Sequence, residues 1–273
     1  MTATAPKTER ASLANEPILL SEQSGGIATL TLNRPKQFNA LSEALLDELL
    51  AALERIAKDE AVRVLVLAGN GPAFCAGHDL KEMRARREPD YYRALFAKCG
   101  RMMQAITRLP QPVIARVHGI ATAAGCQLVA SSDLAVASKA ARFATSGINV
   151  GLFCSTPAVA VTRNVSRKQS FEMLMTGEFI SAEEAARRGL VNAAVEPAEL
   201  DAKVAELAGK IVAKSPLAVR MGKEMFYKQS ELGLAAAYDY AGEVMACNMM
   251  ADDVAQGIDA FTSKAPAPKW TGR

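Results

Sequence analysis

The sequence predicts an α/β fold with a parallel sheet, followed by an α-helical C-terminal region. Residues 62–67 form an apolar run interrupted only by Arg63, which is typical of a strand covered on both faces, as in a parallel sheet. Strand-like and helix-like segments alternate on both sides of this run, which favours an α/β core. After Pro197 the apolar residues recur with the 3.6-residue period of helices.

The first elements are predicted to be a hairpin and a helix. Residues 18–20 and 27–32 have the composition of strands, and the small residues 24–26 between them indicate a tight turn. Ser42 has the side chain of an N-cap and is followed by a stripe of leucines, so we expect a helix that ends near Asp59.

Further strands and helices follow in the same manner. We expect helices at residues 91–107, 124–131 and 168–175, and strands at 112–117, 134–137 and 191–195. Ser181-Ala182-Glu183-Glu184 has the pattern of a capping box. The division predicted for the chain is a disordered N-terminal segment at 1–16, the core at 17–197, and a helical region for oligomerisation or a lid at 198–273.

Composition excludes several classes of protein. Half of the 273 residues are hydrophobic, which is enough for a core, and the net charge of +3 is spread without a basic block, so no nucleic-acid partner is expected. No run approaches the roughly 20 apolar residues of a membrane span. Five cysteines without CxxC spacing favour buried thiols in a reducing, cytoplasmic setting, and two histidines leave little from which to build a metal site.

Two loops built alike are the candidates for chemistry. Residues 71–83 and 118–128 each leave a strand, pass through small residues and enter a helix. The first N–H groups of a helix lack partners within it and favour negative charge, so two such turns side by side could hold one developing oxyanion. The alternative is that the small residues only let helix and sheet pack closely.

Several motifs between residues 18 and 270 occur together. They are the segments 32–36, 39–41 and 74–80, the loop 119–128 with Asp133, Phe143 with Gly151, and the segments 174–177, 180–185 and 189–191. In these motifs the chain resembles the crotonase superfamily of enoyl-CoA hydratases and isomerases. The resemblance implies a crotonase-type spiral of repeated ββα units with a C-terminal α-helical region, assembled as a homotrimer or a dimer of trimers.

The resemblance also implies the ligand and the site. The ligand is an acyl-CoA thioester of fatty-acid or related metabolism, with coenzyme A as part of the substrate and no covalently bound cofactor. The backbone N–H groups of His78 and Ala124 would hold the thioester oxygen, since alanine keeps the N–H of the glycine usual at that position. The coenzyme A contacts implied are Lys36 at the phosphates or ribose, the Ala76 carbonyl at the adenine, Asp79, Leu80, and Phe261 with Lys264 from this chain or a neighbouring copy.

Two positions depart from the family pattern. Gln127 and Gly147 stand where the hydratases have glutamates, and neither accepts a proton at neutral pH, so ordinary hydration is not expected. Gln127 is expected to orient a water or a polar substrate group, and Gly147 to leave room for a carboxylate from the substrate or from bicarbonate. The alternatives are carboxylate-assisted C–C chemistry or decarboxylation, slow hydration, thioester hydrolysis, or a non-catalytic acyl-CoA-binding or regulatory relative.

Other nucleophilic or titratable side chains are given structural roles. The His78 imidazole is expected to face solvent or the coenzyme A channel, and His118 is expected to support a tight turn. Cys126 and Cys154 are expected to be inert buried thiols.

Overall fold

A computed structural model describes residues 16–273, so the predicted disorder of the N-terminal segment lies outside the described residues apart from Glu16. The strands are β1 Leu19–Ser24, β2 Ile27–Leu32, β3 Val64–Gly69, β4 Ala73–Cys75, β5 Val113–Val117, β6 Ile120–Thr122, β7 Leu134–Ser138, β8 Arg142–Ala144, β9 Ile180–Ser181 and β10 Ala193–Val195. The helices are α1 Glu43–Ala57, α2 Leu80–Ala85, α3 Pro89–Arg108, α4 Ala124–Ser131, α5 Ser155–Val161, α6 Arg167–Thr176, α7 Ala182–Arg187, α8 Leu200–Val212, α9 Pro216–Gln229, α10 Leu234–Met249 and α11 Asp252–Thr262.

Two sheets form the framework. The larger has the order β1-β2-β3-β5-β7-β10, and all its pairs are parallel except the β1–β2 hairpin. The smaller has the order β4-β6-β8-β9, with β4, β6 and β8 parallel. Every residue of β3 is buried, which confirms the interpretation of the apolar run as a strand covered on both faces. The predicted α/β fold class is therefore confirmed.

Two predicted helix caps can be compared with the structure. The Ser42 hydroxyl accepts the Leu45 N–H at 3.2 Å and starts α1 as expected. Ser181 caps α7 by accepting the Glu184 N–H at 3.1 Å. The Glu184 carboxylate pairs with Arg188 at 2.5 Å instead of returning to the cap, so only half of the predicted capping box forms.

The first of the C-terminal helices, α8, completes the core. The apolar face of α8, formed by Leu200, Val204 and Ala208, packs on Val64 and Val66 of β3 with other residues of the same sheet face. A division between two units at residue 197 stays a prediction, and the α8 contacts cross that boundary.

A buried ion pair joins α9 to the α/β core. Lys223 Nζ donates to Asp133 Oδ2 at 2.6 Å and to the carbonyls of Ile106 and Gln111 at 3.0 and 2.9 Å. The Tyr227 hydroxyl donates to Asp133 Oδ1 at 2.7 Å. Helical periodicity alone gave no sign that Lys223 would be buried, because lysine normally marks an exposed face.

A second buried carboxylate holds the end of the chain. Asp253 accepts hydrogen bonds from the Ser215 hydroxyl at 2.6 Å, the Thr271 N–H at 2.7 Å and the Gly272 N–H at 3.0 Å. These contacts fix α11 and the C-terminal tail against the start of α9.

The outer side of α10 is rich in exposed apolar side chains, including Tyr238, Met245 and Met249. Such a surface favours self-association, and the trimeric or hexameric assembly stays a prediction. Within residues 16–273, none of the helices combines the length and the apolar character needed to cross a bilayer.

Candidate functional site

The two loops singled out from the sequence meet at one edge of the smaller sheet. Strands β4 and β6 pair in parallel, with Ala73 opposite Ile120 and Cys75 opposite Ala121. Their carboxyl ends therefore lie at the same edge, and each continues directly into its loop. Sequence analysis predicted two similar turns, and the pairing of these strands brings them together.

Gly77 shows how closely the loops approach. A Cβ atom built on Gly77 would lie 3.2 Å from the backbone nitrogen of Ala124 and 2.9 Å from the Ala123 side chain. The φ angle of Gly77 is +94°, a region that disfavours any other residue. Glycine is therefore required here, and its lack of a side chain leaves the Ala124 amide uncovered.

The amides of His78 and Ala124 have no hydrogen-bond acceptor among residues 16–273. The N–H groups of the adjacent residues are hydrogen-bonded: that of Asp79 donates to the Leu41 carbonyl at 3.2 Å, and that of Ala123 donates to the Ala144 carbonyl at 3.0 Å. Unpaired donors at the start of a helix favour an anionic or strongly polarised oxygen.

Backbone strain and close packing fix the start of α4. Ala123 has φ +51° and ψ −120°, which is rare for a residue with a side chain and is typical of strain held at functional sites. A Cβ on Gly125 would lie 2.0 Å from the Cys75 carbonyl oxygen, so only glycine lets α4 approach β4 this closely. The Ala124 amide is thereby held on rigid backbone.

Gln127 lies one turn beyond Ala124 on α4. Its side chain is buried, and its Oε1 atom has no hydrogen-bond partner in the described part of the chain. A buried acceptor without a partner costs free energy, on the order of 1–3 kcal/mol, unless water or a ligand pairs with it. The side chain is thus available to a bound group, as the prediction for Gln127 requires.

The surroundings of Gly147 are filled in the direction that a side chain would take. A Cβ on Gly147 would lie 2.5 Å from the Leu152 carbonyl oxygen and 2.8 Å from Cys154 Sγ. The chain folds back because the Leu152 N–H donates to the Gly147 carbonyl at 3.0 Å. The room for a carboxylate beside Gly147 stays a prediction.

The His78 imidazole does not face solvent, which was one of the two directions expected for it. Its ring packs edge to face on Phe96 of α3, with 5.5 Å between ring centroids. Both Nδ1 and Nε2 are buried and have no hydrogen-bond partner within the described residues. Burial lowers the pKa of His78, and the nearby Leu41 backbone offsets this only in part, so the neutral imidazole is the dominant form at pH 7.

Asp79 is occupied by structural contacts. Its Oδ1 atom accepts the Lys81 and Glu82 N–H groups at the start of α2, and its Oδ2 atom accepts from Arg34 at 3.0 Å. Burial raises the pKa of Asp79, but the Arg34 guanidinium and the two amides outweigh this and hold the pKa below its usual range. Asp79 thus caps α2 and orders the loop, and a direct contact with coenzyme A stays a prediction.

The other residues predicted to bind coenzyme A are dispersed. Lys36 and Leu80 are exposed and Ala76 is half-buried near the two loops. Phe261, exposed at 84%, and Lys264 lie at the end of α11, whose main packing partner is α10. No hydrogen bond or ion pair in the described chain joins α11 to the loops, so a role for Phe261 and Lys264 is a prediction for a neighbouring copy.

His118, Cys126 and Cys154 are structural residues, whereas Cys247 lies on the surface. His118 Nε2 bonds the Gly71 carbonyl at 2.8 Å, as expected for a turn-supporting residue. Burial raises the pKa of Cys126 to about 12 and also raises that of Cys154, so both thiols are protonated and inert. Cys247 is exposed on α10, which corrects the expectation that all five cysteines are buried.

One polar contact at the site was not foreseen. The hydroxyls of Thr122 and Ser146 are 2.6 Å apart and connect β6 to the short helical turn that contains Gly147. Threonine and serine are common on strands and loops, so no sequence signal marked this pair.

Two cavities lie elsewhere. One of about 370 Å³ is bounded by β2, β3 and α8, and one of about 460 Å³ lies between the start of α9 and α11. Neither is lined by His78 or Ala124. The candidate site is therefore identified by the two open amides, those of His78 and Ala124, and not by the size of a cavity.

The comparisons with known proteins agree with one another. The family model described as enoyl-CoA hydratase/isomerase matches residues 22–273. Enoyl-CoA hydratase domain-containing protein 3, mitochondrial, from Rattus norvegicus is 45% identical over 94% of this chain and 86% of its own length. The crystal structure of an enoyl-CoA hydratase from Mycobacterium smegmatis is 59% identical, with a TM-score of 0.92 over 93% of this chain and 99% of that one.

The crystal structure of human enoyl-CoA hydratase domain-containing protein 3 is 43% identical to this chain, with a TM-score of 0.90 over 93% of this chain and all of that one. These names correct one prediction. The expectation of a cytoplasmic protein is contradicted, because the vertebrate relatives are named as mitochondrial.

Proposed function

The chain belongs to the enoyl-CoA hydratase/isomerase family, and from this premise we propose that it is an enzyme that processes acyl-CoA thioesters by stabilising an enolate oxygen between the amides of His78 and Ala124. Coenzyme A enters as part of the substrate. Fatty-acid or related acyl-CoA metabolism is the proposed setting.

The observation that carries this proposal is the pair of open amides on adjacent loops. When the thioester becomes an enolate, negative charge develops on its oxygen, and donors already in place stabilise that charge more than they stabilise the ground state. Each such donor contributes about 3–4 kcal/mol to the transition state. Gly77 and the strained Ala123 support this reading, because both hold the Ala124 N–H uncovered in a fixed direction.

Ordinary hydration is not the proposed reaction. Gln127 occupies a position where a carboxylate would move protons, and an amide does not do this at neutral pH. Its unpartnered Oε1 favours a role in orienting a water or a polar substrate group. A side chain at position 147 would meet the Leu152 carbonyl, so the carboxylate predicted beside Gly147 would come from the substrate or from bicarbonate.

The second candidate function is non-catalytic binding of acyl-CoA, with a regulatory role. The observation that favours it is the absence of a carboxylate at both Gln127 and Gly147. A binding protein would hold the thioester without releasing its α-proton, so exchange of the α-hydrogens of a bound acyl-CoA separates the two candidates.

The test is titration of the protein with crotonyl-CoA, followed by difference absorbance. Two amides that polarise the conjugated thioester shift its absorption to longer wavelength, which is the result expected. Binding without a shift would contradict enolate stabilisation and support the binding protein. No binding of crotonyl-CoA or butyryl-CoA would contradict both candidates.

A further inference from the structure

The His78 imidazole has an arrangement that packing alone does not explain. Both ring nitrogens are buried without a partner within residues 16–273, while Phe96 covers the ring. An apolar residue of similar size would fill the same volume without leaving buried polar atoms unpaired, each of which costs about 1–3 kcal/mol. Such atoms in a native protein indicate a missing partner.

The imidazole belongs to the residue whose N–H is one of the two open amides. The His78 backbone is fixed on both sides, because the Leu41 N–H donates to the Gly77 carbonyl at 2.7 Å and the Asp79 N–H donates to the Leu41 carbonyl at 3.2 Å. A thioester oxygen held by this N–H lies two bonds from the α-carbon of the acyl group. The ring and the N–H that would hold the thioester oxygen therefore belong to one residue whose backbone is fixed.

Other groups around the two loops do not serve as bases. The Cys126 and Cys154 thiols are protonated, and Gln127 is an amide. The Asp79 carboxylate is bound to Arg34 and to two backbone N–H groups, which makes it a weak base. Of the two imidazoles on these loops, that of His118 is held by its bond to the Gly71 carbonyl, whereas His78 also carries one of the two open amides.

We propose, resting on the proposed enolate function, that the His78 imidazole accepts the α-proton of the bound acyl-CoA. The bond from the α-carbon to hydrogen breaks, and the proton passes to the unprotonated ring nitrogen. The electron pair forms the carbon–carbon double bond of the enolate, and the charge on oxygen is held by the His78 and Ala124 N–H groups. Return of a proton from the imidazolium to the α-carbon restores the acyl-CoA without an oxidant or a further reactant.

The step can be measured as exchange of the α-hydrogens of butyryl-CoA for deuterium in D2O, followed by NMR. The comparison is between wild type, His78→Gln and Gln104→Ala, because Gln104 is exposed on α3 and belongs to neither loop. We expect His78→Gln to slow exchange about 10²- to 10⁴-fold while the Kd for butyryl-CoA is unchanged. Gln104→Ala should exchange at the wild-type rate.

Chemical rescue separates a proton acceptor from a structural residue. Added imidazole should restore exchange to His78→Ala, which leaves a cavity, and not to His78→Gln, which fills it. A wild type that binds butyryl-CoA without exchange, or a His78→Gln variant that exchanges at the wild-type rate, would overturn the inference and leave the acyl-CoA site standing. A wild type that binds no butyryl-CoA would overturn the proposed function itself.

Discussion

Gly77 and Ala124 lie so close together that a Cβ atom built on Gly77 would be 3.2 Å from the backbone nitrogen of Ala124. The two residues are 47 positions apart in the sequence and are brought together by the parallel pairing of β4 with β6. Access to one of the two open amides thus depends on glycine in the opposite loop.

Gly77→Ala is expected to impair the site while leaving the fold largely intact. The added methyl group meets the Ala123 side chain at 2.9 Å and crowds the Ala124 N–H. Loss of one preorganised donor lowers the turnover rate about 10²- to 10³-fold, measured as α-proton exchange of butyryl-CoA. The matched control is Gly25→Ala, which also has positive φ but has open space around its Cα atom. Equal rates in both variants would show that the Ala124 amide is not used.

Gln127→Glu is expected to introduce hydration of crotonyl-CoA. A carboxylate one turn beyond Ala124 would provide the general base that the amide lacks, and such a group contributes about 10²- to 10⁴-fold. The control is Gln104→Glu, which adds the same charge on the exposed face of α3. Hydration is followed by the loss of enoyl absorbance, and a variant no faster than wild type would show that position 127 does not face the reacting double bond.

The difference between what the sequence predicted and what it did not has physical causes. Periodicity and capping residues are local signals, so α1 with its Ser42 cap and the buried strand β3 were predicted correctly. The two loops were also predicted, since small residues that follow a strand mark a helix start, whereas the amides of His78 and Ala124 were assigned from the resemblance to the crotonase superfamily. The surroundings of a side chain depend on contacts distant in sequence, which is why Phe96 against His78 and the Leu152 carbonyl against Gly147 were not foreseen.

Lys223→Met is expected to destabilise the protein strongly. The substitution removes the cation that faces Asp133 and leaves a buried carboxylate without its main partner, and breaking such a pair costs about 3–5 kcal/mol. The control is Lys98→Met, which removes an ion pair with the exposed Asp47 and should cost about 0–1 kcal/mol. The free energy of unfolding is measured in urea at one protein concentration. Equal losses would show that the Lys223 pair is no stronger than a surface pair.

Asp253→Asn is expected to loosen the C-terminal tail in a pH-dependent manner. Burial raises the pKa of Asp253, but hydrogen bonds from Ser215, Thr271 and Gly272 outweigh burial and hold the pKa below its usual range. Because the folded pKa is depressed, the carboxylate stabilises the fold fully above the unfolded pKa of about 3.9 and loses this contribution as pH falls through the folded value. The difference in the free energy of unfolding between wild type and Asp253→Asn should therefore be constant near neutral pH and shrink below about pH 4. Urea unfolding between pH 3 and 7 measures this difference in the free energy of unfolding, with the exposed Asp239→Asn as control. A difference independent of pH over this range would show that the charge of Asp253 does not hold the tail.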